Sequence, residues 1–168
     1  HATIHALLDK RELFAACQRV GIDAPTTYFP QSEEDLGRIA RETRYPLLLK
    51  PSTQVLLRSH HKGLMVNDAE SLLPRFREFR ALSEFHPRVL AHRPGIDLPM
   101  LQEFRSEAAS AIYSVAGFMD AGETDGVLAL ASVKVLQRPR KLGIGLCFEE
   151  VPLRPDIDEA IVEEIRAI

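Results

Sequence analysis

The sequence predicts an α+β fold, and three observations carry that prediction. Segments with apolar residues at helical spacing are interleaved with short apolar runs of strand length. The two longest of those runs, Ala111 to Met119 and Val127 to Leu136, are joined by Asp120-Ala121-Gly122-Glu123-Thr124-Asp125-Gly126. A polar loop with two glycines there predicts an antiparallel hairpin, which excludes a purely parallel sheet. The chain also shows no internal repeat, low-complexity tract or long linker, so its 168 residues fit one ordinary domain or two small subdomains.

Taken in order, the first helix opens at Asp9, with Glu12 three residues on as in a capping box. Leu13, Phe14, Cys17 and Val20 form its stripe and Gly21 stops it. Ser32, followed by Glu33, Glu34 and Asp35, opens a second helix that buries Leu36, Ile39 and Ala40. Two strands follow, Leu47 to Lys50 and Gly63 to Val66. The third helix carries Leu72, Leu73, Phe76, Phe79 and Leu82; Pro74 is best tolerated in a first turn, which favours Ser71 over Asp68 as its cap. After a turn at Pro94-Gly95 come the strand Met100 to Phe104 and then the hairpin. Alternation along the last strand puts Leu130, Ser132, Lys134 and Leu136 on one face, and Ala129, Ala131, Val133 and Val135 on the other. Arg138-Pro139 is a local turn. A fourth helix is capped by Asp156 with Glu159, and its stripe is Ile157, Ile161, Val162, Ile165 and Ile168.

Composition narrows the function classes. The chain is 45% hydrophobic and 27% charged, which is a globular composition able to bury a core. Its 21 Lys and Arg against 24 Asp and Glu give a net charge of −3, scattered rather than clustered, so the basic footprint of a nucleic-acid binder is absent. No apolar stretch approaches the roughly 18 residues of a membrane span, and no signal-like segment opens the sequence. Cys17 and Cys147 are far apart and read as small core residues rather than a bridge or metal site. A cytoplasmic protein is expected. The sequence begins without Met and ends inside a periodic helix pattern, so it reads as a fragment of a longer protein.

One residue stands out chemically. Lys50 ends the apolar run Tyr45-Pro46-Leu47-Leu48-Leu49, and an unpaired ammonium in an apolar layer costs several kcal/mol, so it must snorkel to water or meet an anion. Phosphate is the natural partner, with a solvent-reaching edge lysine as the alternative. Lys134 shares a strand face with Ser132, in a partly polar setting. His60-His61 invites a metal reading, but adjacent residues on a strand point to opposite faces, and a solvated loop pair is the plainer account.

The order of these pieces resembles the ATP-grasp superfamily, closest to its carboxylate–amine ligase and carbamoyl-phosphate-synthase-like branch. The resemblance rests on Leu8-Asp9-Lys10 at a helix start, Gly21-Ile22-Asp23-Ala24-Pro25, the strand Tyr45 to Pro51, the run Lys62-Gly63-Leu64-Met65-Val66, and the hinge Gln102-Glu103-Phe104. It covers nearly the whole chain and implies two α+β subdomains with the nucleotide between them. A lid would span residues 26–101 and a core residues 102–168, with the helix of residues 1–25 packing on that core.

Carried over, the resemblance gives Lys50 a phosphate role and Lys62 a second. It also implies adenine recognition by main-chain groups of Glu103, Phe104 and Arg105, and ribose contacts from Glu107. Lys134, in Ser132-Val133-Lys134-Val135-Leu136-Gln137-Arg138-Pro139, would face the phosphates or an acyl phosphate as the catalytic residue. The implied cofactors are ATP and Mg²⁺, and the implied reaction is ligation of a carboxylate to an amine or similar nucleophile through an acyl phosphate. Bringing two anions together in that step requires fixed positive charge. Partners would be ATP and small-molecule carboxylate and amine substrates, with a homo-oligomer left open, and neither nucleic acid nor membrane.

Two departures from the pattern matter. The phosphate-covering stretch Ser52 to His61 contains no glycine, so it is expected to use hydroxyls or basic side chains and to order when nucleotide binds. The family's metal ligands would lie beyond Ile168, so the polypeptide as given is expected to hold no metal site and not to turn over. The alternative is a non-catalytic nucleotide-binding or regulatory module.

Overall fold

A computed structural model describes residues 7–59, 61–106, 113–119, 127–138 and 144–152. The elements run α1 (Lys10–Val20), β1 (Thr27–Tyr28), α2 (Glu34–Glu42), β2 (Leu47–Lys50), β3 (Leu57–Arg58), β4 (Leu64–Val66), α3 (Ala69–Ala81), β5 (Glu84–Phe85), α4 (Pro87–His92) and β6 (Met100–Glu103), then β7 (Tyr113–Met119), β8 (Val127–Arg138) and β9 (Ile144–Glu150). The chain separates into two units, His1–Phe104 and Arg105–Ile168. Mixed helices and antiparallel sheets make it an α+β fold, as the sequence predicts.

The first unit is organised by a four-stranded antiparallel sheet of order β1-β6-β2-β4. The apolar run Leu47-Leu48-Leu49 makes β2 an interior strand, since such a run is stable only when neighbours cover it. The register pairs Leu47 with Val66, and Leu49 with Leu64 and Leu101, which places these residues on one face. That face meets Leu36 and Ile39 of α2 and Leu72, Phe76 and Phe79 of α3, all at most 4% exposed. Each such side chain contributes roughly 1.5–3 kcal/mol by leaving water, so this layer holds the unit together. Gly63 is required by close approach: a Cβ there would lie 2.9 Å from both the Leu49 carbonyl oxygen and Leu48 Cδ1.

The caps show where local chemistry decided the helix ends. Asp9 Oδ1 accepts from the Arg11 N–H at 2.8 Å, and Gly21, at φ 77°, closes α1 with its N–H directed at the Cys17 and Gln18 carbonyls. At α2 the expected Ser32 start gives way to Glu33, which makes no side-chain cap bond. Asp35 reaches back instead, its Oδ2 accepting from the Gln31 N–H at 2.8 Å. At α3 the expectation of Ser71 was wrong. Asp68 is the cap, its Oδ1 accepting from the Ser71 N–H at 2.8 Å, and Pro74 lies inside the helix. A proline there deprives only the Glu70 carbonyl of its partner, and Glu70 is exposed to water.

Four elements of this unit were not anticipated. Strands β1, β3 and β5 have two residues each, too few for a period to show. Helix α4 has six residues, with Pro87 first and His86 Nδ1 accepting from the Arg88 N–H at 3.2 Å. The pairing of β3 with β5 also anchors the glycine-free stretch: Leu57 pairs with Phe85, and Leu56 adopts a left-handed φ of 52° that glycine would ordinarily supply. Ser52 and Thr53, at 3% and 5% exposure, are buried within the unit.

The first unit extends through Phe104, since β6 stays hydrogen-bonded to β1 and β2 as far as Glu103. Helix α1 makes contacts within the first unit. The Lys10 N–H donates to the Ser52 carbonyl at 2.8 Å, and the Phe14 and Phe29 rings lie 5.8 Å apart.

The second unit is an antiparallel meander of order β7-β8-β9. The hairpin predicted for β7 and β8 is present, in register from Tyr113 opposite Val133 to Met119 opposite Val127. Strand β8 runs two residues past the expected Leu136, and register shifts interrupt its pairing with β9 on both sides of Leu136. Strand β9 was missed, and it carries Cys147, which is exposed rather than a core residue. Both cysteines are free, and Cys17 is half-buried. The helix expected from Asp156 lies outside the described residues.

Candidate anion site

The sheet has a second face, opposite the helices, and Lys50 stands on it. The register sets Gln102 opposite both Leu48 and Thr27, so Thr27, Gln102 and Lys50 form a diagonal row across three strands on one face. Lys50 Nζ donates to Gln102 Oε1 at 2.9 Å, and Gln102 Nε2 donates to Thr27 Oγ1 at 3.1 Å. The amide is thereby oriented with its oxygen toward the ammonium. Gln102 was read only as part of a motif; the structure makes it the group that aims Lys50.

Lys10 completes the arrangement. Its Nζ donates to the Pro51 carbonyl at 3.0 Å, immediately after Lys50 in the chain. Burial lowers the Lys50 pKa, and the positive charge of Lys10 lowers it further. The Lys10 pKa is lowered by its own burial, with Asp9 acting in the opposite sense. Among the described residues neither ammonium is in an ion pair with a carboxylate, and each rests on a neutral oxygen. Two partly desolvated, mutually repelling cations beside neutral acceptors make a site whose charge an anion would satisfy.

Lys10 was missed as a site residue, although a signal was present. It occupies the first position of α1, where the helix dipole disfavours a cation. A lysine there forgoes the stabilisation that a helix C-terminus would give its charge, and that is the signal the sequence offered.

The remaining candidates are placed as follows. Lys62 is exposed in the turn before β4, where Gly63 permits the tight approach to β2. Glu103 is half-buried and faces the helix side of the sheet with Leu47, away from Lys50. Its N–H donates to the Thr26 carbonyl at 2.8 Å, and the Phe104 N–H to the Pro46 carbonyl at 3.0 Å. Both hinge amides are therefore committed to the sheet, while the N–H of exposed Arg105 takes no part in it. Glu107 and His60 lie outside the described residues. Lys134 is half-buried in β8, paired with Phe148 in the second unit, and Ser132 Oγ donates to the Ser114 carbonyl at 3.4 Å.

Among the described residues, no group of three or more His, Cys, Asp or Glu side chains could hold a metal ion, and no helix is long and apolar enough to cross a membrane.

No model of a known protein family matches the chain. Over 92 residues it is 34% identical to the carbamoyl phosphate synthase large chain of two Thermus thermophilus strains, a match that covers 55% of this chain and 9% of that one. The chain thus spans less than a tenth of the curated relatives it matches. Its fold is that of an L-amino acid ligase from Bacillus licheniformis, with a TM-score of 0.64 at 18% identity over 98% of this chain and 36% of that one. A RimK domain ATP-grasp protein from Sphaerobacter thermophilus aligns with a TM-score of 0.46 at 16% identity, over 99% and 67% of the two chains.

Proposed function

We propose that this chain, which carries the ATP-grasp fold its sequence resembles, is the ATP-binding part of an ATP-grasp ligase. The observation that supports this most directly is the pair Lys10 and Lys50, held beside neutral oxygens and, among the described residues, outside any ion pair. A triphosphate would supply the missing charge. The intact protein would be a cytoplasmic enzyme joining a small-molecule carboxylate to an amine or similar nucleophile, with ATP as the phosphoryl donor that activates the carboxylate as an acyl phosphate.

In this reading the residues of the first unit bind and orient. Lys50, aimed by Gln102, and Lys10 fix the phosphates, with Lys62 approaching from the turn before β4. Adenine would meet the hinge at the Arg105 N–H and at hinge carbonyls, since the Glu103 and Phe104 amides are already bonded. Glu107 would hold the ribose and Lys134 would act on the transferred phosphoryl group. Residues 26–101 would serve as the lid and residues 102–168 as the core, with residues 1–25 belonging to that core. The described residues do not fit a Mg²⁺ site of their own.

A second reading, a regulatory nucleotide-binding module, is favoured by the glycine-free stretch, where Leu56 takes the left-handed conformation and the main chain is tied to β5. Such a stretch offers fewer backbone amides to phosphate. Isothermal titration of the full-length protein with ATP, in the presence of Mg²⁺ and in competition with ADP, tests both readings. Failure of both nucleotides to bind at millimolar concentration removes them together. Binding without nucleotide turnover, across a panel of carboxylates and amines, selects the second.

A further inference from the structure

Arg93, which follows α4, brings its guanidinium to the start of α1. It faces Asp9 Oδ2, and its second nitrogen lies 3.5 Å from Glu12 Oε1. These two acids flank Lys10 in the first turn of α1. The Asp9 side chain is 4% exposed, and an enclosed carboxylate needs a cation. Its Oδ1 is taken by the Arg11 N–H, so Oδ2 is the oxygen for which cations compete. The Lys10 ammonium belongs to the next residue and already feels Asp9, whose charge raises the lysine's pKa against burial. Were Asp9 to pair with Lys10, the positive charge beside Lys50 would be cancelled. Instead Lys10 Nζ lies on the Pro51 carbonyl, at the end of the strand that carries Lys50.

We propose that Arg93 is a positioning residue for the anion site: by occupying Asp9 and Glu12 it keeps the Lys10 ammonium uncompensated and available to a phosphate. This rests on the nucleotide reading above. Arginine suits the task because its planar fork can address two carboxylates at once, whereas an ammonium is a single point of charge. The pair borders a polar cleft of about 270 Å³ that Arg11, Gln31 and Ser52 also line. Arg93 is 29% exposed there, so its own charge remains partly hydrated while that of Asp9 does not.

Titration of ATP into full-length wild type, Arg93→Ala, Asp9→Asn and the double variant tests this, with thermal unfolding run beside each. Arg93→Ala should weaken ATP at least tenfold. The double variant should return to within threefold of wild type, because asparagine keeps the cap bond to Arg11 but has no charge with which to capture Lys10, and the freed Glu12, 47% exposed, is screened by water. A merely structural role for Arg93 predicts the opposite, a double variant at least as weak as Arg93→Ala, and that result overturns the proposal. So does an Arg93→Ala protein that binds ATP normally. Should Arg93→Ala fail to fold, Asp9→Asn alone decides: affinity equal to or above wild type supports the proposal, and reduced affinity overturns it. Wild type that does not bind ATP removes the nucleotide reading and this inference with it, whereas binding without rescue removes this inference alone.

Discussion

Replacing Lys50 by methionine should separate stability from nucleotide binding. The substitution keeps the unbranched stem on the sheet and removes the ammonium. In the folded protein that ammonium is disfavoured, since burial and Lys10 both lower its pKa even though Gln102 accepts a hydrogen bond from it. A lowered lysine pKa means that burial and Lys10 oppose the charged form, so removing the charge offsets the lost bond to Gln102. Lys50→Met should therefore unfold at the same denaturant concentration as wild type or a higher one. ATP binding should move the other way, by about 1.5–3 kcal/mol, the range for a hydrogen bond to a charged group; that is roughly tenfold to 150-fold in Kd. Urea titration followed by fluorescence and calorimetric titration with ATP measure the two quantities on one preparation. If stability and affinity fall together, Lys50 is a structural residue. If affinity does not change, it is a solvent-reaching edge lysine and the anion site is misplaced.

The other expected outcomes can be stated briefly. The pKa values of Lys10 and Lys50 both lie below the ordinary lysine value of 10.5, and a bound phosphate would raise them, so ATP binding should take up protons at alkaline pH. Affinity should be complete below the lowered values and decline as pH rises through them, whereas stability, relieved of two disfavoured charges, should rise over the same interval; calorimetry in buffers of different ionisation enthalpy reads the uptake, and binding with no proton linkage would contradict the assignment. Gln102→Ala should cost about 1 kcal/mol of ATP affinity through loss of aim yet leave the ATP-over-GTP preference intact, a preference measured by competition. Phe76→Ala, at a fully buried position between α3 and the sheet, should destabilise by about 3–5 kcal/mol, and a loss below 1 kcal/mol in denaturant titration would mean the core lies elsewhere.

What the sequence disclosed, and what it hid, follows from the range of the forces involved. Asp9, Gly21 and the apolar run at Leu47 act within a few residues, so they marked their elements plainly. Ser71 was preferred to Asp68 because Pro74 was weighted by its distance from the cap; the two hydrogen bonds that join Asp68 and Ser71 outweigh the one bond the proline removes. Strands of two residues, such as Leu57–Arg58, exist only through a partner some 27 positions away and leave no local trace. Lys50 was recognisable because its apolar neighbours were adjacent. Its alignment by Gln102 across 52 positions was not, and neither was the meeting of Lys10 with Pro51 across 41.

The order β1-β6-β2-β4 has an architectural consequence. Thr27 and Tyr28 lie directly opposite Gln102 and Leu101, so the segment leaves the sheet beside the strand by which it entered. Antiparallel partners stand about 4.5–5.5 Å apart at their Cα atoms, which means residues 27–103 could be spliced into a host chain at a single short gap. Such a cassette would carry Lys50, Gln102 and Thr27 and leave Lys10 behind. The two ammonium groups are thus divided between an insert and its host, and on the nucleotide reading only a recipient with a cation at the matching helix start would bind the ligand.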